Sequence, residues 1–275
     1  MDIHDYSTLM EGEKMGKVIF YDVDGTLFRR ECGVPESTIR AIKKCEENGN
    51  IAILCTGRGA CTLPDEIEVL PLHGRICQCG TYVILDGKVL VDDGVEGPDC
   101  QKILEILHKY DCPSFVENSN HYYLDTDFAP GVFKEVISSM SEHYPGRYMP
   151  MSMLPNKIQK MTGYPNNRAM LPQLCEELSP WFEVIVHDEY DYVEITHKDY
   201  SKGTGVRRIL SALGKTQDDA IAFGDSSNDI TMLDAVGQAF VMGDAPEELK
   251  TKYTPTDSIY ADGIEKTLVK LGLID

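Results

Sequence analysis

Asp22 and Asp24 stand two residues apart, followed by Gly25 and Thr26, directly after the apolar run Val18-Ile19-Phe20-Tyr21. Thr56-Gly57-Arg58 closes a second apolar run, Ile51–Cys55. Lys202 stands ahead of a helical stripe, and Asp225, Asn228 and Asp229 follow a third run, Ala220–Gly224. Carboxylates gathered in one place repel one another unless a cation holds them. Oxygen ligands without His or Cys suit Mg²⁺, which takes a few carboxylates and keeps waters for a phosphate to replace. A hydroxyl, backbone amides at a helix start and a lysine are the groups that cradle a phosphate. One carboxylate is then left to attack phosphorus and form an aspartyl-phosphate. The chemistry these residue types suit is phosphoryl transfer.

These clusters work together only if the fold brings them to one place. The run before Asp22 reads as a strand buried on both faces of a parallel sheet. Side-chain alternation then has Asp22 and Asp24 leaving the strand end in the same direction. Pro35-Glu36-Ser37-Thr38 starts a helix with Ile39, Ile42 and Cys45 at helical spacing, ended by Asn48-Gly49. The next strand, Ile51–Cys55, completes a βαβ unit and puts Thr56 at a carboxyl end beside the first. A short pair follows around Arg75–Cys77 and Thr81–Leu85.

From about Asp86 the texture changes to hairpin, helix and strand-like stretches. These include His121–Leu124, Lys157–Thr162 and Phe182–His187, with helical patterns near Val132–Met140 and Ala169–Leu178. The α/β rhythm resumes near Ser201. Expected, therefore, are a polar leader over 1–16, a core domain over 17–85 and 195–275, and an inserted α+β domain over 86–194. The fold class is α/β, a Rossmann-like doubly wound parallel sheet carrying that insert. In such a sheet ligands bind at the carboxyl ends of the strands, where all four polar clusters fall.

Composition narrows the partners. The chain has 275 residues and a formal net charge of −19, which argues against nucleic acid and anionic membrane, since both need basic patches. It does not exclude an anionic substrate where a metal and a few cations focus positive charge. Nine cysteines, an odd number, and a polar, acidic N-terminus without an apolar signal segment point to reduced thiols in the cytoplasm. No apolar run approaches a membrane span.

Asp22-Val23-Asp24-Gly25-Thr26, Thr56, Lys202 and Gly224-Asp225-Ser226-Ser227-Asn228-Asp229 come in the order of the four motifs of the haloacid-dehalogenase superfamily. The sequence resembles its phosphatases across the whole core. The insert between the second and third motifs resembles the type IIB cap of the Cof-like hydrolases. The resemblance implies that Asp22 is the nucleophile, and that Asp24 protonates the leaving alcohol, later activates water, and lends Mg²⁺ its backbone carbonyl. It implies that Thr56, Gly57, Lys202 and Asn228 bind the phosphoryl group, and that Asp22, Asp24, Asp225 and Asp229 form the metal set. The implied enzyme is a Mg²⁺-dependent phosphatase acting on a small phosphorylated metabolite, a sugar phosphate or similar monoester. A mutase of the phosphomannomutase type and a non-catalytic phosphometabolite sensor are the rivals.

Two stretches depart from the family pattern. Cys79-Gly80-Thr81 replaces a common Asn-Gly-Ala, and Gly243-Asp244-Ala245 replaces Gly-Asn-Ala. A helix N-cap ahead of Pro246 is the expected role of Asp244, with an adjustment of charge near the metal as the other reading. Arg58 reads as structural or solvent-facing. His121, Tyr122, Tyr123, Lys157, Lys160 and Tyr192 in the cap could face substrate or pack.

Overall fold

The computed structural model describes residues 16–124, 128, 132–154, 156–186 and 191–275. The expected leader lies outside the described residues except for Gly16, as does His187. The chain packs as two units. One is made of the chain up to Gly57 with Pro64–Val91 and Ser201–Asp275; the other is made of Arg58–Leu63 and Asp92–Tyr200.

The first unit is built on β1 (Val18–Tyr21), helix α1 (Glu36–Glu47), β2 (Ile51–Cys55), β3 (Gly74–Cys77), β4 (Tyr82–Leu85) and β5 (Lys88–Asp92). Its eight-stranded sheet runs Thr254–Pro255, Gln238–Val241, Ala220–Gly224, β1, β2, β3, β4, β5. All neighbours up to β3 are parallel and β4 turns back antiparallel. β1 is central and all four of its residues are fully buried, as an unbroken apolar run requires. Val18 and Phe20 pack in a core cluster with Val206, Ile209 and Leu210 of the helix Lys202–Ala212. Tyr21 stacks on Phe223 of the neighbouring strand at 5.5 Å between ring centroids, and Phe223 stacks on Phe240 at 5.4 Å. α1 buries Thr38, Ala41, Ile42 and Cys45, so the core stripe lies one position off the expected Ile39. It packs against the helix Gly263–Lys270.

β5 extends the core sheet, which is why the packing division falls at Val91/Asp92 rather than where the turn chemistry of Asp86-Gly87 suggested. The turn from β3 to β4 is unusual. Gln78, Cys79 and Gly80 all have positive φ, at 49°, 54° and 98°. Gly80 is needed there twice over, because a Cβ would also lie 2.4 Å from the Ser201 carbonyl. Position 79 is left-handed backbone, which asparagine adopts far more readily than cysteine. An Asn, as in the pattern that the sequence resembles, would suit this backbone.

The second unit has a six-stranded sheet in the order Phe182–Val186, Val193–His197, Lys160–Gly163, Ser114–Glu117, Tyr122–Leu124, Tyr148–Pro150. Neighbours are antiparallel except the last pair. One face carries Val116, Tyr123, Met161 and Ile195 against Ile103 and Leu107 of the helix Pro98–Lys109 and Leu174 and Leu178 of the helix Leu171–Leu178. Alternation turns Glu117, Tyr122, Lys160 and Thr196 to the other face, where Lys160 stands in register with both Glu117 and Thr196. Tyr122 and Tyr123 are buried packing residues. Lys157 pairs with Asp92 at 3.0 Å, and Tyr192 lies 6.2 Å from the Tyr164 ring. His121 is half-buried, 6.2 Å from the Tyr123 ring.

The backbone at residue 79 gives a direct test. Cys79→Asn is expected to raise the urea midpoint of the protein, by a stability gain of up to about 1 kcal/mol, because it relieves a left-handed cysteine.

Candidate active site

β1 ends at Tyr21, and the Asp22 N–H still donates to the Phe223 carbonyl at 3.0 Å. There the strand stops. The Val23 carbonyl accepts the N–H groups of Leu27 and Phe28 at 2.9 and 2.8 Å, closing a turn that Gly25 completes at φ 84°. A Cβ on Gly25 would lie 2.1 Å from Oδ2 of Asp225, so the glycine also lets that carboxylate approach the backbone. Strand alternation consequently does not extend to Asp24. Asp22 is buried, whereas Asp24 is exposed.

Lys202 is the first residue of its helix and is 1 % exposed. Ser201 caps that helix. Its hydroxyl accepts the Thr204 N–H at 3.1 Å, and the Thr204 hydroxyl accepts the Ser201 N–H at 2.9 Å, which fixes the direction in which the helix starts. The Lys202 ammonium donates to Asp22 Oδ1 at 2.6 Å, Asp229 Oδ1 at 2.6 Å and Asn228 Oδ1 at 2.9 Å. Its three donors thus have three acceptors.

Asp229 serves a second purpose. Its Oδ2 accepts the N–H groups of Asp225 and Ser226 at 2.9 and 3.0 Å, shaping the loop after the strand Ala220–Gly224. The loop's capping chemistry and its position in the charge cluster are therefore both real. Asp225 receives a weak bond from the Thr26 hydroxyl at 3.4 Å. Carboxylate oxygens of Asp22, Asp225 and Asp229 all lie within 4.8 Å of one another.

This crowding shows in the proton affinities. Burial, then Asp229, push the Asp22 carboxyl well above its ordinary value, and Lys202 only partly opposes them. Burial works against the charge of Lys202, but Asp22 and Asp229 outweigh it and hold the ammonium well above its usual range. The 2.6 Å contact favours charge on both partners; the carboxyl is raised nonetheless because a second acid and desolvation act on it. Asp225 is pushed up to about 7 by burial and Asp229, with Lys202 and Arg29 opposing. Three carboxylates against one ammonium, all oxygen donors, fit a hard divalent cation. Mg²⁺ there would be held by Asp22, Asp225 and Asp229. Asp24 is not among the clustered carboxylates, and its expected contribution is its backbone carbonyl.

Thr56 is buried at the end of β2, the parallel neighbour of β1. Its N–H donates to the Ile76 carbonyl at 2.8 Å, and its own carbonyl accepts the Cys79 N–H at 3.3 Å. Gly57 is half-buried beside it. Asp244 does not cap a helix: the following helix starts at Glu247 behind Pro246, without a side-chain cap. It pairs instead with Arg29 at 2.5 Å, and both charges act on Asp225. Sequence reading did not single out Arg29, because an arginine three residues past a turn carries no signal until its partner, 215 residues on, is known.

The raised carboxyls set a pH dependence. A carboxyl whose folded pKa exceeds its unfolded value adds stability that is complete below the unfolded pKa, about 4, and is lost as pH rises through the folded one. For Asp225 that window ends at about 7. In EDTA, urea unfolding should show stability falling from pH 4.5 to 7.5. Excess Mg²⁺ should flatten or reverse the fall, since it favours the charged carboxylates.

Residues 19–268 match the family model described as haloacid dehalogenase-like hydrolase. YkrA of Bacillus subtilis (strain 168), a candidate phosphatase by its name, is 24% identical over 267 residues, covering 94% of this chain and 98% of its own. The pyridoxal phosphate phosphatase YbhA of Escherichia coli (strain K12) is 26% identical over 251 residues, covering 86% and 91%. A subclass IIB sugar phosphatase of known structure shares the fold at a TM-score of 0.78, with 22% identity, 94% of this chain and 100% of that one covered. The chain belongs to the haloacid dehalogenase-like hydrolase family.

Proposed function

We propose that the protein is a Mg²⁺-dependent phosphatase that hydrolyses a small phosphomonoester in the cytoplasm through a phosphoryl group carried on Asp22. The observation that carries this is the buried Lys202 ammonium joined to Asp22 and Asp229, with Asp225 in the same cluster at the end of β1. It supports the reading because the carboxylate taken here as the nucleophile lies beside a fixed positive charge. Bound Mg²⁺ supplies charge neutralisation on the transferring phosphoryl group.

In the first half-reaction an Asp22 oxygen attacks phosphorus, and the bond from phosphorus to the leaving alcohol breaks. An alkoxide is a poor leaving group, so the exposed Asp24 carboxyl gives it a proton. In the second, Asp24 takes a proton from water, which attacks phosphorus and frees Asp22 and orthophosphate. Thr56, Gly57, Lys202 and Asn228 hold the phosphoryl oxygens throughout, which is the positioning on which phosphoryl transfer mostly depends. The relative named for pyridoxal phosphate and the superfamily resemblance to sugar phosphatases both support a small phosphorylated metabolite.

Purified protein with Mg²⁺ should release orthophosphate from p-nitrophenyl phosphate and from members of a phosphometabolite panel. Asp22→Asn should lower that rate by about a thousandfold or more, the scale on which loss of a nucleophile is felt. Equal rates for the two proteins would end the proposal. Conversion of a hexose phosphate to its isomer, in place of steady phosphate release, would assign the site to a mutase.

A further inference from the structure

Two chain segments of the first unit reach Asp225, and one ion pair ties them together. The first is the turn after β1. The Gly25 N–H donates to the Phe28 carbonyl at 2.9 Å, and a Cβ on Gly25 would lie 2.1 Å from Asp225 Oδ2, so this turn rests against the carboxylate. Arg29 comes next and is held in a small hairpin, its N–H and carbonyl both bonded to Gly33, at 3.2 and 2.7 Å. The second segment follows the strand Gln238–Val241. The Met242 N–H donates to the carbonyl of Gly224, the residue before Asp225, at 2.9 Å. The Ala245 N–H then returns to the Met242 carbonyl at 2.9 Å, closing the turn that carries Asp244. The Arg29 guanidinium donates to Asp244 Oδ2 at 2.5 Å and lies 5.7 Å from the centre of the Tyr260 ring.

The two side chains are 31 % and 30 % exposed, and an ion pair so open to water contributes little to stability. Its consequence lies in the charge around Asp225. After burial, Asp229 and Lys202, the groups that act on the Asp225 carboxyl are Arg29 and Asp244, in opposite directions. A guanidinium repels a divalent cation and a carboxylate attracts one, so bonding the two makes each offset the other. We infer that the Arg29–Asp244 pair sets the affinity of the Asp22, Asp225 and Asp229 cluster for a divalent cation, with Asp244 masking the guanidinium that the turn after β1 brings to its rim. The inference rests on the Mg²⁺ assignment made above. It goes further in giving a role to Asp244, where the resembled pattern has Asn, and to an arginine outside the four motifs.

Calorimetric titration of Mg²⁺ into metal-free protein reads this affinity without substrate or turnover. Asp244→Asn should weaken Mg²⁺ binding by about fivefold, the scale on which a unit charge acts on a nearby dication through a water-like medium. Arg29→Met, which keeps an apolar stem beside Tyr260, should tighten it by a similar factor. The double variant should return to within about twofold of wild type, because the two effects oppose. Arg29→Lys keeps the charge and should stay near wild type. The spread between the single variants should narrow as KCl rises toward about 1 M, where the screening length falls to about 3 Å. Thermal midpoints in EDTA should stay within about 4 °C of wild type, since an exposed pair adds little stability.

Affinities that fall in both single variants would overturn the inference, because a merely structural pair gives losses of one sign. Affinities unchanged in both would overturn it as well. So would an Arg29→Lys protein that behaves as Arg29→Met, since that ties the effect to the shape of the guanidinium and not to its charge. Asp225→Asn should abolish the binding heat. Binding that survives this change, or wild type that binds no Mg²⁺, would overturn the Mg²⁺ assignment and the inference with it. Wild type that binds Mg²⁺ but releases no phosphate would overturn the proposed function alone, and the opposed shifts would still support the role of the pair.

Discussion

An ammonium group buried between two carboxylates is the constraint around which the core is arranged. Lys202 reaches Asp22 and Asp229 in surroundings that exclude water, and none of the three charges is tolerable there alone. Losing one partner of such a group costs about 3–5 kcal/mol, because the others are left uncompensated. The three arrive from distant places: the end of β1, the first turn of a helix 180 residues later, and the loop after the strand that pairs with β1. A parallel sheet is the architecture that brings such ends to one edge. The Ser201–Thr204 cap and the Asp229 bonds to the backbone fix the remaining freedom, so Asp229 has both a charge role and a shape role.

The charge arithmetic leaves the cluster short of positive charge. One lysine faces three acids, and the Arg29–Asp244 pair adds no net charge at its rim. A site balanced in isolation would have little affinity for a divalent ion or for a phosphate dianion carrying one. This site keeps most of its deficit inside the fold, where water screens charge least, in a protein whose overall charge is −19.

Much of this was legible in the chain because it depends on local patterns. The apolar runs ending in Asp22, Thr56 and Gly224 specify buried parallel strands, and strand ends specify where polar residues meet. The α/β core with an inserted unit followed, and so did the convergence of Asp22, Lys202, Asp225 and Asp229. What escaped was set by turns and by distant partners. Alternation was carried past Tyr21 to Asp24, although the glycine turn that begins at Val23 had already ended the strand. Asp244 was read as a cap from its neighbour Pro246, while its partner Arg29 is invisible to any local pattern. Arg58 was read as structural or solvent-facing, and the segment it begins bonds with Tyr144 and Arg147, which no spacing links to it.

The membership of Arg58–Leu63 in the second unit changes what that unit is as an object. An ordinary inserted domain is joined to its host by two chain crossings; this one has four, at 57/58, 63/64, 91/92 and 200/201. It is not a cassette. A graft of 92–200 from a relative would replace Arg147, whose guanidinium bonds to the Cys61 and Leu63 carbonyls, and leave a six-residue segment facing a surface it had not been matched to. Exchange between relatives that keeps the unit intact therefore has to carry both pieces at once, so the segment after Gly57 and the sheet it packs on are bound to change together.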